Sequence, residues 1–275
     1  MSRACDLLGV SRSGYYASRR AAGRTRTRDL LARAQVKAAF DSSGASYGSR
    51  RVLEAMRAQG LRIGRFKVRR LMREARLRTV WKRKFVSTTD SRHTLPVAPN
   101  VLERRFEVSA PDRAWVSDIT YIPTAQGWLY LAVVLDLYSR RVVGWSMAPT
   151  MTAGLVIAAL QMALQQRRPP PGLLLHSDRG SQYASEPYQA VLRQYQVVCS
   201  MSRKGNCWDN AVMERFFLNL KMERVWQRQY ANHGEASRDI TQYIAGFYNC
   251  VRLHSTLGYM SPVQFEARAV TELSI

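Results

Sequence analysis

The apolar positions of this chain change their period near residue 111. Before that point they fall at helical spacing. Leu30, Leu31, Ala34 and Ala38 mark one face, Val52, Leu53 and Met56 a second, and Phe66, Val68, Leu71 and Met72 a third. Intervals of three and four predict amphipathic helices. Tyr47-Gly48-Ser49-Arg50-Arg51 leads into the second face, and Gly60 to Gly64 breaks the pattern before the third. A shorter pair stands in front. Arg3 to Leu8 predicts a helix, Gly9-Val10-Ser11 a turn, and Ser11 caps a helix through Tyr15 and Tyr16. Both pairs read as helix-turn-helix-like. Residues 79–110, with Trp81-Lys82-Arg83-Lys84, Pro96 and Pro99, keep no period and read as a linker.

After Pro111 the pattern is that of strands alternating with helices. Ala114 to Ile122 reads as a strand. Trp128 to Leu137 is a near-continuous apolar run, expected for a central strand buried on both faces. Arg141 to Met147 is a third strand, and the short connections make the three an antiparallel meander. A helix over Thr152 to Gln166 follows, then a short strand at Leu173-Leu174-Leu175 ending in His176-Ser177-Asp178. A helix over Ser185 to Tyr195, a strand over Val197 to Ser200 and a polar loop from Ser202 to Asn210 precede a long helix from Ala211 to about Arg228. The order βββαβαβα predicts an α/β domain over 111–230. A helical basic region lies before it at 1–78, and a helical extension after it at 231–275.

Charge sharpens this division. The chain carries 42 Lys and Arg against 20 Asp and Glu, a net +22 over 275 residues. Residues 1–110 hold 26 basic and 8 acidic side chains, the remainder 16 and 12. The excess calls for a polyanionic partner, with counterion release as the driving force. Arg65, Lys67, Arg69, Arg70 and Arg73 interleave with the third apolar face, as suits a helix lying in or across a DNA groove. The four cysteines form no Cys-x-x-Cys pair and read as reduced thiols. No apolar run approaches the ~18–20 residues of a membrane span. Without a signal-like start, the chain is expected to be cytoplasmic.

Three carboxylates sit where chemistry is expected. Asp118 lies inside the first strand, Asp178 just past the end of the fourth, and Glu214 early in the long helix, with 35 residues between it and Asp178. Ligand sites of α/β sheets favour strand ends. Moving a phosphodiester requires an activated nucleophile and a stabilised leaving oxygen, which two Mg²⁺ ions about 3.5–4 Å apart supply. Mg²⁺ takes hard oxygen ligands and keeps several waters, so a few carboxylates suffice. Asp118, Asp178 and Glu214 are therefore expected to converge on one metal position. Asp136 reads as structural or as a support behind the three acids, and Asp209 and Asn210 as caps of the long helix. Lys221, seven residues past Glu214, falls about 20° from the same helical face. With Arg203 and Lys204 in the preceding loop, it is expected to hold DNA near the scissile bond.

His176-Ser177-Asp178-Arg179-Gly180-Ser181-Gln182-Tyr183, the Asp-35-Glu spacing and Ser202-Arg203-Lys204-Gly205-Asn206 resemble the integrase core of insertion-sequence-three (IS3) family transposases. So do Tyr248-Asn249, Arg252 to Tyr259 and Ser261-Pro262. Where that family often shows Tyr-Gly-Tyr-Arg-Arg, Ser49 replaces the second tyrosine. The resemblance spans residues 1–266. It implies an RNase H-like core, a five-stranded mixed sheet with flanking helices, behind an all-α DNA-binding region. It implies a DDE polynucleotidyl transferase, with Asp118, Asp178 and Glu214 holding two Mg²⁺ ions, or Mn²⁺. The implied reaction frees a 3′-hydroxyl at the element end and joins it to another phosphodiester. The chain resembles the downstream product OrfB, which works fused to or with OrfA. The implied partners are element-end and target duplex DNA and further copies on that DNA, with no membrane. The alternative is a DNA-binding regulatory subunit that does not cut alone.

Overall fold

The computed structural model describes residues 2–7, 9–79, 95–203 and 207–273. It comprises two compact units, Met1–Val80 and Trp81–Ile275. The first is all helical: α1 (Ser2–Leu7), α2 (Arg12–Ser42), α3 (Ser49–Ala58) and α4 (Arg65–Glu74). Ser11 caps α2 as its position predicts, accepting from the Gly14 amide at 3.0 Å. The stretches around Tyr15 and around Leu30 to Ala38 are one continuous helix rather than two, because no proline interrupts them. Helices α2, α3 and α4 pack on one another and bury Val36, Val52, Leu53, Met56, Val68 and Leu71. Gly60, at φ +79°, supplies the left-handed turn that ends the α3 segment.

The second unit is built on β1 (Ala114–Thr124), β2 (Gly127–Asp136), β3 (Val142–Ala148), α5 (Ala153–Arg167), β4 (Leu174–Ser177), α6 (Ser181–Ala184), α7 (Glu186–Gln194), β5 (Val198–Met201) and α8 (Ala211–Glu223). The strands form one mixed sheet in the order β3-β2-β1-β4-β5. Strands β1 to β3 are the expected antiparallel meander; β4 and β5 add in parallel. The unbroken apolar run of β2 is explained by two cores. Leu131, Val133 and Leu135 face a core with α8, whereas Ala132 and Val134 face another with α5, α6 and α7. On the second face α5 comes so close to β3 that a Cβ on Gly144 would lie 2.2 Å from the Ala159 carbonyl oxygen.

Residues on either side of the expected core also belong to it. Residues 95–110, read as linker, dock on β5: Ser200 Oγ accepts from the amides of Val101 (2.9 Å) and Leu102 (3.1 Å), and Leu102 is buried. Helix α8 ends at Glu223, and a 3-10 turn at Val225–Gln227 follows it. Beyond lie α9 (His233–Gln242), a π turn at Tyr243–Tyr248, a 3-10 turn at Ser255–Leu257 and α10 (Pro262–Leu273). The π turn sets Tyr243 and Tyr248, five apart, both into the α8 core. Among the described residues no helix is long and apolar enough to cross a membrane.

Candidate active site

Strand β1 outruns its neighbour. It pairs with β4 only through Val116, so among the described residues that edge takes no further strand from Ser117 onward, apart from a bridge from Thr124 to Tyr230. The opening lies beside the carboxyl end of β4, the place where α/β sheets bind ligands. Helix α8 packs on β1 there. Asp118 stands on β1 at this opening, Asp178 follows the end of β4, and Glu214 lies in the first turn of α8.

Asp118 feels the other two acids. Burial pushes the Asp118 carboxyl well above its usual range, and the charges of Asp178 and Glu214 push it further, opposed by the Ile119 amide and Lys221. Glu214 is raised by partial desolvation. Lys221 is lowered by desolvation and drawn back by Asp118, so its ammonium shares the site. It stands 4.5 Å from the centre of the Tyr121 ring, a cation–π contact. The ring meets the Trp128 indole edge-on at 4.8 Å.

The carboxylates are neighbours without being convergent. Among the described residues no three Asp, Glu, His or Cys side chains gather around one possible ion position. This departs from the expected convergence, and the hydrogen bonds give the reason. Asp118 Oδ1 folds back onto the Ile119 amide at 2.7 Å, and Asp178 Oδ1 onto the Gly180 amide at 2.9 Å, while Glu214 stays exposed. Gly180 permits this fold: a Cβ there would lie 3.1 Å from Asp178 Oδ1. The donor set nevertheless fits a hard divalent cation. Besides its burial, Asp118 feels the charges of Asp178 and Glu214, and a hard cation beside it would offset that repulsion.

Buried hydrogen bonds frame the acids. Below Asp118, Ser117 Oγ and the buried Tyr183 hydroxyl lie 3.1 Å apart. His176, buried, contacts Ser200 Oγ at 2.8 Å and Ser202 Oγ at 3.1 Å; desolvation lowers it to about 4, so it is neutral. Asp209 and Asn210 do not cap α8 through their side chains. Asp209 is fully buried and accepts from Arg203 (N, Nε and Nη2), Arg104 Nε and Asn100 Nδ2, all within 3.0 Å. A cap needs one carboxylate oxygen free for a helix amide, and both are taken by cations. Asn210 Nδ2 reaches the Ser117 carbonyl at 3.4 Å, and its buried Oδ1 has no protein donor.

The cations expected on DNA divide differently. Arg203 is bound to Asp209, and Lys204 lies outside the described residues. In the first unit Lys67 and Arg70 both pair with Asp29 of α2, each at 2.8 Å. Arg65, Arg69, Arg73 and Arg76 lie exposed along α4 and just past it. Asp29 carries no sequence signal of this role, because it sits 38 residues from Lys67 and meets it only when α4 packs on α2.

The five-stranded mixed sheet with flanking helices, open beside β4, is the fold of an integrase core. The integrase core domain family matches residues 108–207 and, in a second form, residues 195–262; an HTH-like domain matches residues 26–85. The chain is 44% identical to an insertion element IS600 uncharacterized 31 kDa protein of Shigella sonnei, over 96% of this chain and 97% of that one. It is 43% identical to the transposase InsF of insertion sequence IS3A of Escherichia coli K12, over 95% and 92%. A simian T-cell lymphotropic virus intasome chain shares the fold at a TM-score of 0.50 and 16% identity, over 78% of this chain and 69% of that one. The chain belongs to the IS3 family of transposases.

Proposed function

We propose that this chain cuts and joins DNA strands at insertion-sequence ends, as a DDE polynucleotidyl transferase. One observation carries the reading: Asp118 feels the charges of Asp178, Glu214 and Lys221 together, at the open edge of β1. Asp118, Asp178 and Glu214 would hold two Mg²⁺ ions, or Mn²⁺. When bound, such ions activate the attacking oxygen and stabilise the leaving one. The chain's own part is to place the strand. Lys221, partly desolvated and steadied by the Tyr121 ring, presents its ammonium to the phosphate flanking the scissile bond. Water is the nucleophile in the first step and the freed 3′-hydroxyl in the second.

The helical unit, rich in exposed arginine, holds the duplex through its phosphates. An OrfA product, fused or separate, adds recognition of the terminal repeats, and several copies assemble on the two ends. The test is a strand-cleavage and strand-transfer assay on element-end duplex in Mg²⁺, with and without OrfA. Products that require Mg²⁺ and the three acids support the reading. Duplex binding without cleavage under both conditions supports the regulatory-subunit alternative instead.

A further inference from the structure

The turn between β5 and α8 holds a large side chain in water. Trp208 is 69% exposed, the most exposed tryptophan among the described residues, and lies six positions before Glu214. Its backbone is anchored by the two residues that follow it. The 3-10 turn Cys207–Asn210 carries Asp209, 0% exposed and gripped by Arg203, Arg104 and Asn100, and Asn210, buried against the Ser117 carbonyl. The fold thus spends a buried ion cluster on a turn whose indole it leaves outside. An indole on an anchored turn has only its own side-chain torsions left to order on binding, which suits it to stacking.

The surroundings select the occupant. Arg203 and Arg104 stay about half exposed (54% and 43% of each side chain) although both bond Asp209, so two guanidinium groups flank one buried carboxylate and the rim is cationic. The nearby Glu103 is paired with Arg105 at 3.2 Å. An exposed aromatic ring on a turn that is also held by half-exposed guanidinium groups is a combination that takes up single-stranded nucleic acid, where each base offers a π face. Inside a duplex both faces of a base are covered by its neighbours. The indole therefore fits a base that is unpaired, displaced at the strand end next to the cut.

We propose that Trp208 stacks on an unpaired nucleobase of the DNA strand beside the acid cluster and so fixes which nucleotide lies next to the scissile phosphate. The assignment rests on the strand-transfer reading for the place of the base in the reaction, but not for the stacking itself. The probe is a short duplex with an unpaired terminal nucleotide carrying a fluorescent adenine analogue that is quenched on stacking. A fully paired duplex with the analogue inside serves as its control. Binding to the full chain is read without added divalent cation, so that no strand is cut. Trp208→Ala should abolish the quench and weaken binding of the frayed duplex about tenfold, the scale of one base–aromatic stack, while leaving the paired duplex within about twofold. Trp208→Phe should retain most of the quench. Thermal unfolding of both variants tells loss of stacking from loss of fold; should the alanine variant unfold, the phenylalanine variant and the wild-type quench decide alone. An unchanged quench in Trp208→Ala would overturn the proposal. Equal weakening on both duplexes would do so too, as would a loss of self-association with the quench intact. Quenching by a chain that transfers no strands in Mg²⁺ would keep the stacking assignment and sink the transferase reading. Strand transfer with no wild-type quench would do the reverse.

Discussion

The guanidinium of Arg252, 1% exposed, grips the Glu223 carboxylate through three hydrogen bonds of 2.7–3.1 Å. Tyr243 donates a fourth at 2.6 Å. Glu223 is the last residue of α8, the helix that begins beside Glu214, so a segment far along the chain holds the distal end of the candidate catalytic helix. Arg252→Met strands a buried carboxylate, which costs on the order of 3–5 kcal/mol. Denaturant unfolding should show that loss. A change under about 1 kcal/mol would mean that water reaches Glu223 and the pair is not a lock.

Asp118→Asn, Asp178→Asn and Glu214→Gln each keep a side chain's shape and remove a charge. Each is expected to bring strand transfer to background while duplex affinity stays within about twofold, since the affinity comes mainly from phosphate contacts elsewhere. A variant with near-normal transfer would remove that residue from the site.

Charge reversal on α4 should sort its cations. Arg65→Glu and Arg69→Glu act on exposed side chains and should each lower the slope of log affinity against log salt by about 0.9. Arg70→Ala should change that slope less, because Arg70 already spends its charge on Asp29. Equal slopes for the three variants would contradict the division.

Gly144→Ala places a Cβ 2.2 Å from the Ala159 carbonyl oxygen and 2.8 Å from Ala163 Cβ, with backbone on the opposing side. Helix α5 must move off β3, a cost of about 1–3 kcal/mol or more. A variant as stable as the parent would show that the helix yields freely.

Asp209 has the clearest expected pH dependence. Hydrogen bonds from Arg203, first, and then Arg104 hold its carboxylate far below the usual range. A depressed folded value gives stability that is full above the unfolded pKa of about 3.9 and is lost as the pH falls below it. Asp209→Asn should flatten the acid limb of the stability–pH curve below about pH 4 relative to the parent. An unchanged limb would mean that Asp209 is not the group whose protonation weakens the turn.

Much of this protein is local information. The strand meander, the doubly apolar β2, the Ser11 cap and the placing of Asp118, Asp178 and Glu214 at a strand, a strand end and a helix start were all legible in the sequence. Each depends on residues a few positions apart, where side-chain alternation and capping geometry act. The long reach of α2 was not, because two good helical stretches joined without a proline give no boundary in either direction. What only the tertiary structure decided are the pairings across distance. Whether an arginine is free for DNA or bound to an acid depends on which helix it meets, and Asp29 takes Lys67 and Arg70 only after α4 packs on α2. Asp209 has the composition of a helix cap, yet burial beside Arg203 and Arg104 makes it the anchor of a turn. Residues 95–110 lack any period because they dock by single hydrogen bonds to β5, and such contacts leave no repeat in a sequence. An ion pair is fixed by the meeting of two surfaces, and only the packed chain brings those surfaces together.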